Sequence, residues 1–392
     1  MDFDFSPEQK EIQHQARRLL AEQCDLRAVR RILDGNAPFD AALWKQVGEL
    51  GWLGVAIPEA YGGLGLGGGS LCVIAEELGR ALAPLPVASS VYLAAEAILQ
   101  AGDEAQKHEL LPALASGERI ATLAAAEGTM PLTAAKRVTT AFSNGCLSGT
   151  KLPVADGCSA DFGIVSARDG DATGLFVVDL RGAGVRREAL QSLDPTRPLA
   201  RLVFDNAPAR PLGHSADGAA ALRRTLDRAA VYVAFEQIGG ADAALAMSVD
   251  YAKIRHAFGR PIGSFQAIKH KLADMYTRNQ LARANACYAA WALDAGAAEL
   301  PLAAAAARLA AGDAFEFAAK ETIQTHGGIG ATWEADMHLF YRRAKGLGVL
   351  LDGPASWRNR LVDALQDRMN RAIPEAAGPL QHASDRILSN IT

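Results

Sequence analysis

Nothing in these 392 residues offers a segment long and apolar enough to cross a membrane. Hydrophobic residues make up 49%, yet no run reaches the roughly eighteen apolar positions that a spanning helix needs. An excess of positive charge is also missing: 40 Lys and Arg face 44 Asp and Glu, and a net charge of −4 leaves no basic footprint for nucleic acid. Cysteine is scarce. Cys24, Cys72, Cys146, Cys158 and Cys287 are odd in number and keep no metal-ligand spacing, so they read as reduced core thiols, and the eight scattered His residues suggest no metal site either. The amino terminus has neither the basic region of a secretion signal nor the arginines of a transit peptide. It carries Asp2, Asp4 and Glu8 instead, which points to the cytoplasm.

What is present is enough chain for two or three packed units. Ser6-Pro7-Glu8-Gln9 is a helix start, with Ser as N-cap, Pro at the first helical position and Gln closing a capping box. Further helices are expected at 41–53, 70–82, 89–101 and 104–115. The Gly-rich run Tyr61-Gly62-Gly63-Leu64-Gly65 is no dinucleotide loop, because helix and not strand precedes it. From Arg119 to about Leu212 the period becomes alternating, and Ser143-Asn144-Gly145 is a hairpin signal between strands at 137–142 and 146–151. More strands are expected at 162–166, 174–180 and 200–204, with Asp194-Pro195-Thr196-Arg197 as a polar turn held by an Asp–Arg contact. Helices return over 227–254, 265–293, 302–325, 341–350 and 357–369, and the residues after Pro374 read as a tail of low order. The fold class is therefore mainly α with a central β domain: helical 1–118, a small β-barrel or sandwich over 119–212, and a four-helix bundle over 213–392.

The stretch from Tyr251 to Met275 organises the rest. A helix is expected to end near Phe258, where Gly259 and Pro261 interrupt it, and a second to begin at Ser264 as N-cap, burying Ile268, Leu272 and Met275. Gln266 then lies in a first helical turn, where free N–H groups favour an anion, and Arg255 and Phe258 supply charge and a ring. From the residues alone, an anion site and a plain helix–loop–helix with a solvated Arg remain equally open. Arg255-x-x-Phe258-Gly259, Phe265-Gln266 and Gln324-x-x-Gly327-Gly328-x-Gly330 together resemble the acyl-CoA dehydrogenase family of flavoenzymes, and the resemblance runs from Phe5 to about Leu361. It implies that Arg255, Phe258, Gln266, Gln324, Gly327 and Gly328 hold the ADP half of an FAD belonging largely to a neighbouring subunit. It also implies an oligomer, an acyl-CoA substrate and an electron-transfer flavoprotein as electron acceptor.

Oxidising a thioester between Cα and Cβ requires a base for the α-proton, an acceptor for the β-hydride and donors for the enolate-like oxygen. The family places its Glu base at positions matching Leu351 or Ala229 here, so neither holds a carboxylate. Asp352, one residue on and followed by Gly353, becomes the candidate base; a turn Asp before Gly-Pro is the alternative. The Thr-Glu-Pro loop that meets the flavin ring is reduced to Ala125-Ala126-Glu127-Gly128-Thr129-Met130, and Trp-Ile-Thr-Asn to Leu152-Pro153-Val154-Ala155. With the ring half eroded and the ADP half intact, the chain resembles one member of the paired-subunit enzymes that act on steroid side chains and other bulky acyl-CoA esters. The expectation is an FAD-dependent acyl-CoA dehydrogenase subunit, in a homotetramer or an α2β2 assembly with a homologue; a catalytically silent partner subunit is the alternative. A wide acyl pocket follows from the missing aromatic cover near Leu152.

Overall fold

A computed structural model describes residues 3–35, 37–133, 138–214 and 217–372. The tail after Pro374 and Arg137 of the expected first hairpin strand lie outside them. Six α-helices come first: α1 Pro7–Gln23, α2 Leu26–Leu33, α3 Ala41–Glu49, α4 Gly67–Arg80, α5 Glu96–Ala101 and α6 Glu104–Ala115. The expected capping box closes α1, with the Gln9 N–H donating to Ser6 Oγ at 3.2 Å and the Ser6 N–H to Gln9 Oε1 at 3.0 Å. Asp103 and Gln106 build a second box at α6. A π-helical stretch, Ala88–Ala95, runs directly into α5, where the sequence suggested one continuous α-helix. The Gly62 turn has φ 81° and leads back toward Ile57, as a turn and not a phosphate cradle.

Seven strands follow: β1 Ala121–Ala124, β2 Ala141–Ser143, β3 Cys146–Ala155, β4 Phe162–Asp169, β5 Ala172–Asp179, β6 Val185–Leu190 and β7 Leu199–Pro211. The β2–β3 hairpin turns at Asn144 and Gly145, both at positive φ, as Asn-Gly predicts. The order β1-β4-β2-β3-β7-β5, with β5 pairing back onto β4, closes a small barrel, and β6 extends β7. β1 and β6 were not read in the sequence. The pairing of β3 with β7 shifts register between Lys151 and Val154, so Leu152 and Pro153 leave the ladder beside the cavity described below.

The chain then returns to helix: α7 Gly218–Ile254, α8 Gln266–Asp294, α9 Leu300–His326, α10 Met337–Val349 and α11 Pro354–Ala372. α8 and α9 are antiparallel, tied by Lys271–Glu321 at 2.6 Å and Arg278–Asp313 at 2.7 Å. Ala303, Ala304, Ala305, Ala307 and Ala311 are all buried, the close helix approach expected of that run. α4 lies against α7 so tightly that a methyl group added at Gly79 would meet the Glu236 carbonyl at 1.8 Å, and one at Gly239 the Glu76 carbonyl at 1.8 Å. Cys24 and Cys72 are core thiols as expected, but Cys146 and Cys287 are half-buried and Cys158 is exposed. None of the described helices is long and apolar enough to cross a membrane.

Candidate active site

The joint between α7 and α8 differs in detail from its sequence reading. α7 stops at Ile254, the end expected of the 227–254 helix and four residues short of Phe258, because His256–Ala257 and Arg260–Pro261 pair as a two-residue hairpin, β8 and β9, about Phe258 and Gly259. Phe258 and Gly259 both take positive φ, 51° and 79°. Ser264 is not the N-cap: its Oγ donates to the Pro261 carbonyl at 2.7 Å, and Phe265 holds the cap position without a side-chain bond. Of the three residues expected on the buried face, Met275 is buried while Ile268 and Leu272 are half-buried. Arg260 stacks on Phe265 at 4.2 Å, which stiffens the hairpin.

This geometry gathers the six residues expected to hold an ADP group. The ring of Tyr251, one turn before Arg255, stacks on His326 at 4.1 Å, so the hairpin meets the end of α9 where Gln324, Gly327 and Gly328 lie. The antiparallel α8–α9 pair brings the first turn of α8, with Gln266, to the same end. Gly327 caps α9 at φ 64°, as its glycine predicts. Arg255, Phe258, Gln266, Gln324, Gly327 and Gly328 are all exposed, and Phe258 is 95% so. Arg255 has no carboxylate partner among the described residues. A free cation, two amides, an uncovered ring and a glycine turn form a donor set that fits a pyrophosphate and its nucleoside, presented outward where a second chain can complete it.

The other half of the site is a cavity of about 650 Å³ between the barrel, the π-helix and the loop joining α10 to α11. The reduced loop supplies Ala125, Ala126, Gly128, Thr129 and Met130, and the β3 bulge supplies Pro153 and Ala155. Small side chains and backbone replace the expected Thr and Trp contacts, which leaves width for a flat ring system and a bulky ligand. Behind this wall lies an ion pair the sequence reading passed over. Lys151 Nζ donates to Glu127 Oε1 at 2.7 Å, and Glu127 also takes the Thr139 and Thr140 N–H groups. Burial would raise the Glu127 carboxyl, but Lys151 and Thr139 outweigh it and bring it to about 2. The pair anchors the loop from behind.

Asp352 lines the cavity at φ 76°. Both carboxylate oxygens accept the Leu132 N–H, at 3.1 and 3.0 Å, and Oδ2 accepts from Ser356 Oγ at 3.2 Å. Burial raises its carboxyl above the ordinary range, against the lowering by those two donors. Leu351 is buried, and its carbonyl takes the Trp357 indole N–H at 2.6 Å. Ala229 is buried as well. Of these three positions only Asp352 presents a carboxylate to the cavity.

The Asp194 turn is a second correction. The Arg197 backbone N–H donates to the Asp194 carbonyl at 3.0 Å and closes the turn, but the two side chains do not pair: Asp194 Oδ2 takes Arg343 Nε at 2.7 Å from α10, and its Oδ1 takes the Thr196 hydroxyl. Arg197 turns instead to Glu236 of α7. The Arg partners lie tens to hundreds of positions away in the chain, so no local spacing could reveal them. No cluster of His, Cys, Asp or Glu suited to a metal occurs among the described residues.

Residues 6–118 match the family described as acyl-CoA dehydrogenase, N-terminal domain, and residues 216–355 match acyl-CoA dehydrogenase, C-terminal domain. Acyl-CoA dehydrogenase IpdE2 of Mycobacterium tuberculosis is 36% identical over 88% of this chain and 92% of its own. A solved structure of a variant of the Tcur3481-Tcur3483 steroid ACAD has a TM-score of 0.85 and 34% identity over 93% of this chain and 99% of that one. Another solved structure, titled FAD-dependent dehydrogenase, gives a TM-score of 0.84 and 26% identity over 93% and 100% of the two chains.

Proposed function

The chain belongs to the acyl-CoA dehydrogenase family, oxidoreductases that use FAD on CH–CH bonds, and from that premise we propose that it is a dehydrogenase subunit introducing an α,β double bond into a bulky, steroid-like acyl-CoA thioester. The observation that carries this reading is one wide cavity with the Asp352 carboxylate at its α10–α11 edge, in a chain whose ADP-binding set faces outward. The units 1–118, 119–212 and 213–392 then divide the work: the first two wall the acyl and ring side, and the third offers Arg255, Phe258, Gln266, Gln324, Gly327 and Gly328 to the ADP half. The similar Tcur3481-Tcur3483 steroid ACAD is named for two proteins and a steroid, which supports a steroid-type substrate and an α2β2 assembly over a homotetramer. A cytoplasmic setting and an electron-transfer flavoprotein as acceptor complete the proposal.

In this chemistry Asp352 Oδ takes the α-proton of the thioester. Its burial favours a carboxyl basic enough for that task once substrate has displaced water. Bound FAD supplies the hydride acceptor for the β-carbon. The apolar walls exclude water, and Lys151 with Glu127 fixes the loop on which the flavin ring would rest. A second reading has its own observation: the Asp352 carboxylate is already engaged by Leu132 and Ser356, as a purely structural tether would be. Anaerobic mixing of the FAD-loaded protein with an acyl-CoA separates the two. Bleaching of the flavin that disappears in Asp352→Asn supports the base, whereas bleaching that survives assigns the proton to another chain.

A further inference from the structure

The turn that carries Asp352 is held from behind by a chain of contacts running through α11 to α7. Asp352 has φ 76°, and the Leu351 carbonyl before it takes the indole N–H of Trp357 at 2.6 Å. Trp357 is 1% exposed, and the Arg360 guanidinium lies over its ring at 4.2 Å. One turn of α11 separates Arg360 from Ser356, whose hydroxyl donates to Asp352 Oδ2. Arg360 is fixed in turn by α7: Nη2 donates to Asp227 Oδ1 at 2.5 Å and to the Arg223 carbonyl at 3.3 Å. Trp357, Arg360 and Asp227 do not line the cavity, so whatever they do there passes through Asp352.

A positive φ at a residue other than glycine persists only where its surroundings impose it, and a donor on the preceding carbonyl fixes the peptide plane from which the side chain projects. An apolar ring in place of the indole would fill most of the same space and leave the Leu351 carbonyl without that donor. The charges follow the same path. Burial raises the Asp352 carboxyl, and the Leu132 N–H, the Ser356 hydroxyl and the Arg360 charge lower it. Burial also raises the Asp227 carboxyl, to about 6, against the Arg360 and Arg223 charges. One guanidinium therefore serves two carboxylates. The other charged groups around Asp352 are engaged elsewhere: Glu127, on the loop leading to Leu132, holds Lys151, while along the cavity Lys345 pairs with Glu316, Asp194 with Arg343 and Arg197 with Glu236, and Asp156 accepts from Ser89. We propose that Trp357 and Arg360 are positioning residues for Asp352: the indole N–H fixes the turn that presents its carboxylate to the cavity, and the guanidinium, held by Asp227, stabilises that carboxylate as an anion. The inference rests on Asp352 as the base in the acyl-CoA reading above.

The test follows anaerobic flavin bleaching by 3-cyclohexylpropanoyl-CoA against pH, using the FAD-loaded protein co-purified with its partner subunit. Trp357→Phe is expected to lower the limiting bleaching rate by about ten- to a hundredfold, the scale of a slightly misplaced catalytic group, at an unchanged half-saturating ester concentration. Arg360→Met is expected to move the acid limb of the rate up by about half a pH unit or more, and Arg360→Lys to restore it. Asp227→Asn should move the limb down, because Arg360 then serves Asp352 alone. A general loosening of the fold would not shift the limb in opposite directions. Flavin content and circular dichroism verify folding, and if Trp357→Phe does not fold, the Arg360 and Asp227 variants decide. A wild-type rate in Trp357→Phe, or an acid limb unmoved in Arg360→Met, overturns the inference and leaves the dehydrogenase intact. Absence of bleaching in the wild type, or bleaching that survives Asp352→Asn, defeats the base reading instead. A carboxyl carbon-13 NMR titration, with the Asp352 signal identified by its loss in Asp352→Asn, then judges the positioning alone. A midpoint raised in Arg360→Met and lowered in Asp227→Asn sustains it; unmoved midpoints refute it.

Discussion

Asp352 carries the sharpest prediction at the scale of single residues. Asp352→Asn is expected to keep the fold and the FAD but to lower turnover by about two to four powers of ten, the usual contribution of a positioned base, as stopped-flow flavin reduction would show. The pH dependence follows from the direction of its shift. Burial raises the Asp352 carboxyl in the folded chain, so its contribution to stability is present below the unfolded carboxyl's pKa and fades as pH rises through the folded value. Activity runs the other way, because only the ionised form accepts a proton: kcat/KM should fall as pH drops through that raised pKa, and the acid limb should vanish in Asp352→Asn. Arg255→Ala removes a charge-assisted contact worth roughly 1.5–3 kcal/mol, so flavin retained after gel filtration should fall. The expected grouping of Arg255, Phe258 and Gln266 could be drawn from spacing because they sit within a dozen positions of one another. That of Arg197 and Glu236 could not, because a barrel turn and α7 bring them together from distant parts of the chain.

At the scale of elements, the sequence showed where helices and strands lie better than how they end. Ser264 looked like a cap, but the short hairpin uses its hydroxyl on Pro261, and α8 begins one residue later than a Ser cap would place it. Gly239 and Gly240 lie in the middle of α7, where glycine ordinarily weakens a helix. They are close-approach positions: the Gly79 and Gly239 backbones meet α7 and α4 reciprocally, and a methyl at Gly240 would strike Phe315 at 2.4 Å. A period of helical hydrophobicity reports which face is buried and not how near the next backbone comes. Gly239→Ala is therefore expected to destabilise the protein by about 1–3 kcal/mol, the cost of overpacking a core, seen as a lower denaturant midpoint. An unchanged midpoint would mean that the α4–α7 contact yields more readily than its geometry indicates.

The whole molecule is lopsided. Its barrel closes on itself and its cavity is walled by three parts of the chain, yet the end that carries Arg255, Gln266 and Gln324 is open, with Ile254 73%, Phe258 95% and Ile329 50% exposed. Apolar groups gathered beside unpaired polar ones mark a surface built to be covered. The order helical, β, helical was readable from the change of period at Arg119 and back after Leu212. The central claim is that this chain offers an intact ADP half and a reduced ring half, so that complete flavin sites arise only where it meets an unlike homologue that keeps the Thr-Glu-Pro and Trp-Ile-Thr motifs. Native mass spectrometry of the chain alone and co-expressed with such a homologue tests this directly. An α2β2 complex holding about two FAD per four chains is the predicted result, since two-fold pairing of unlike chains makes half the interfaces complete. A homotetramer of this chain that holds one FAD in every subunit and oxidises an acyl-CoA unaided would contradict it.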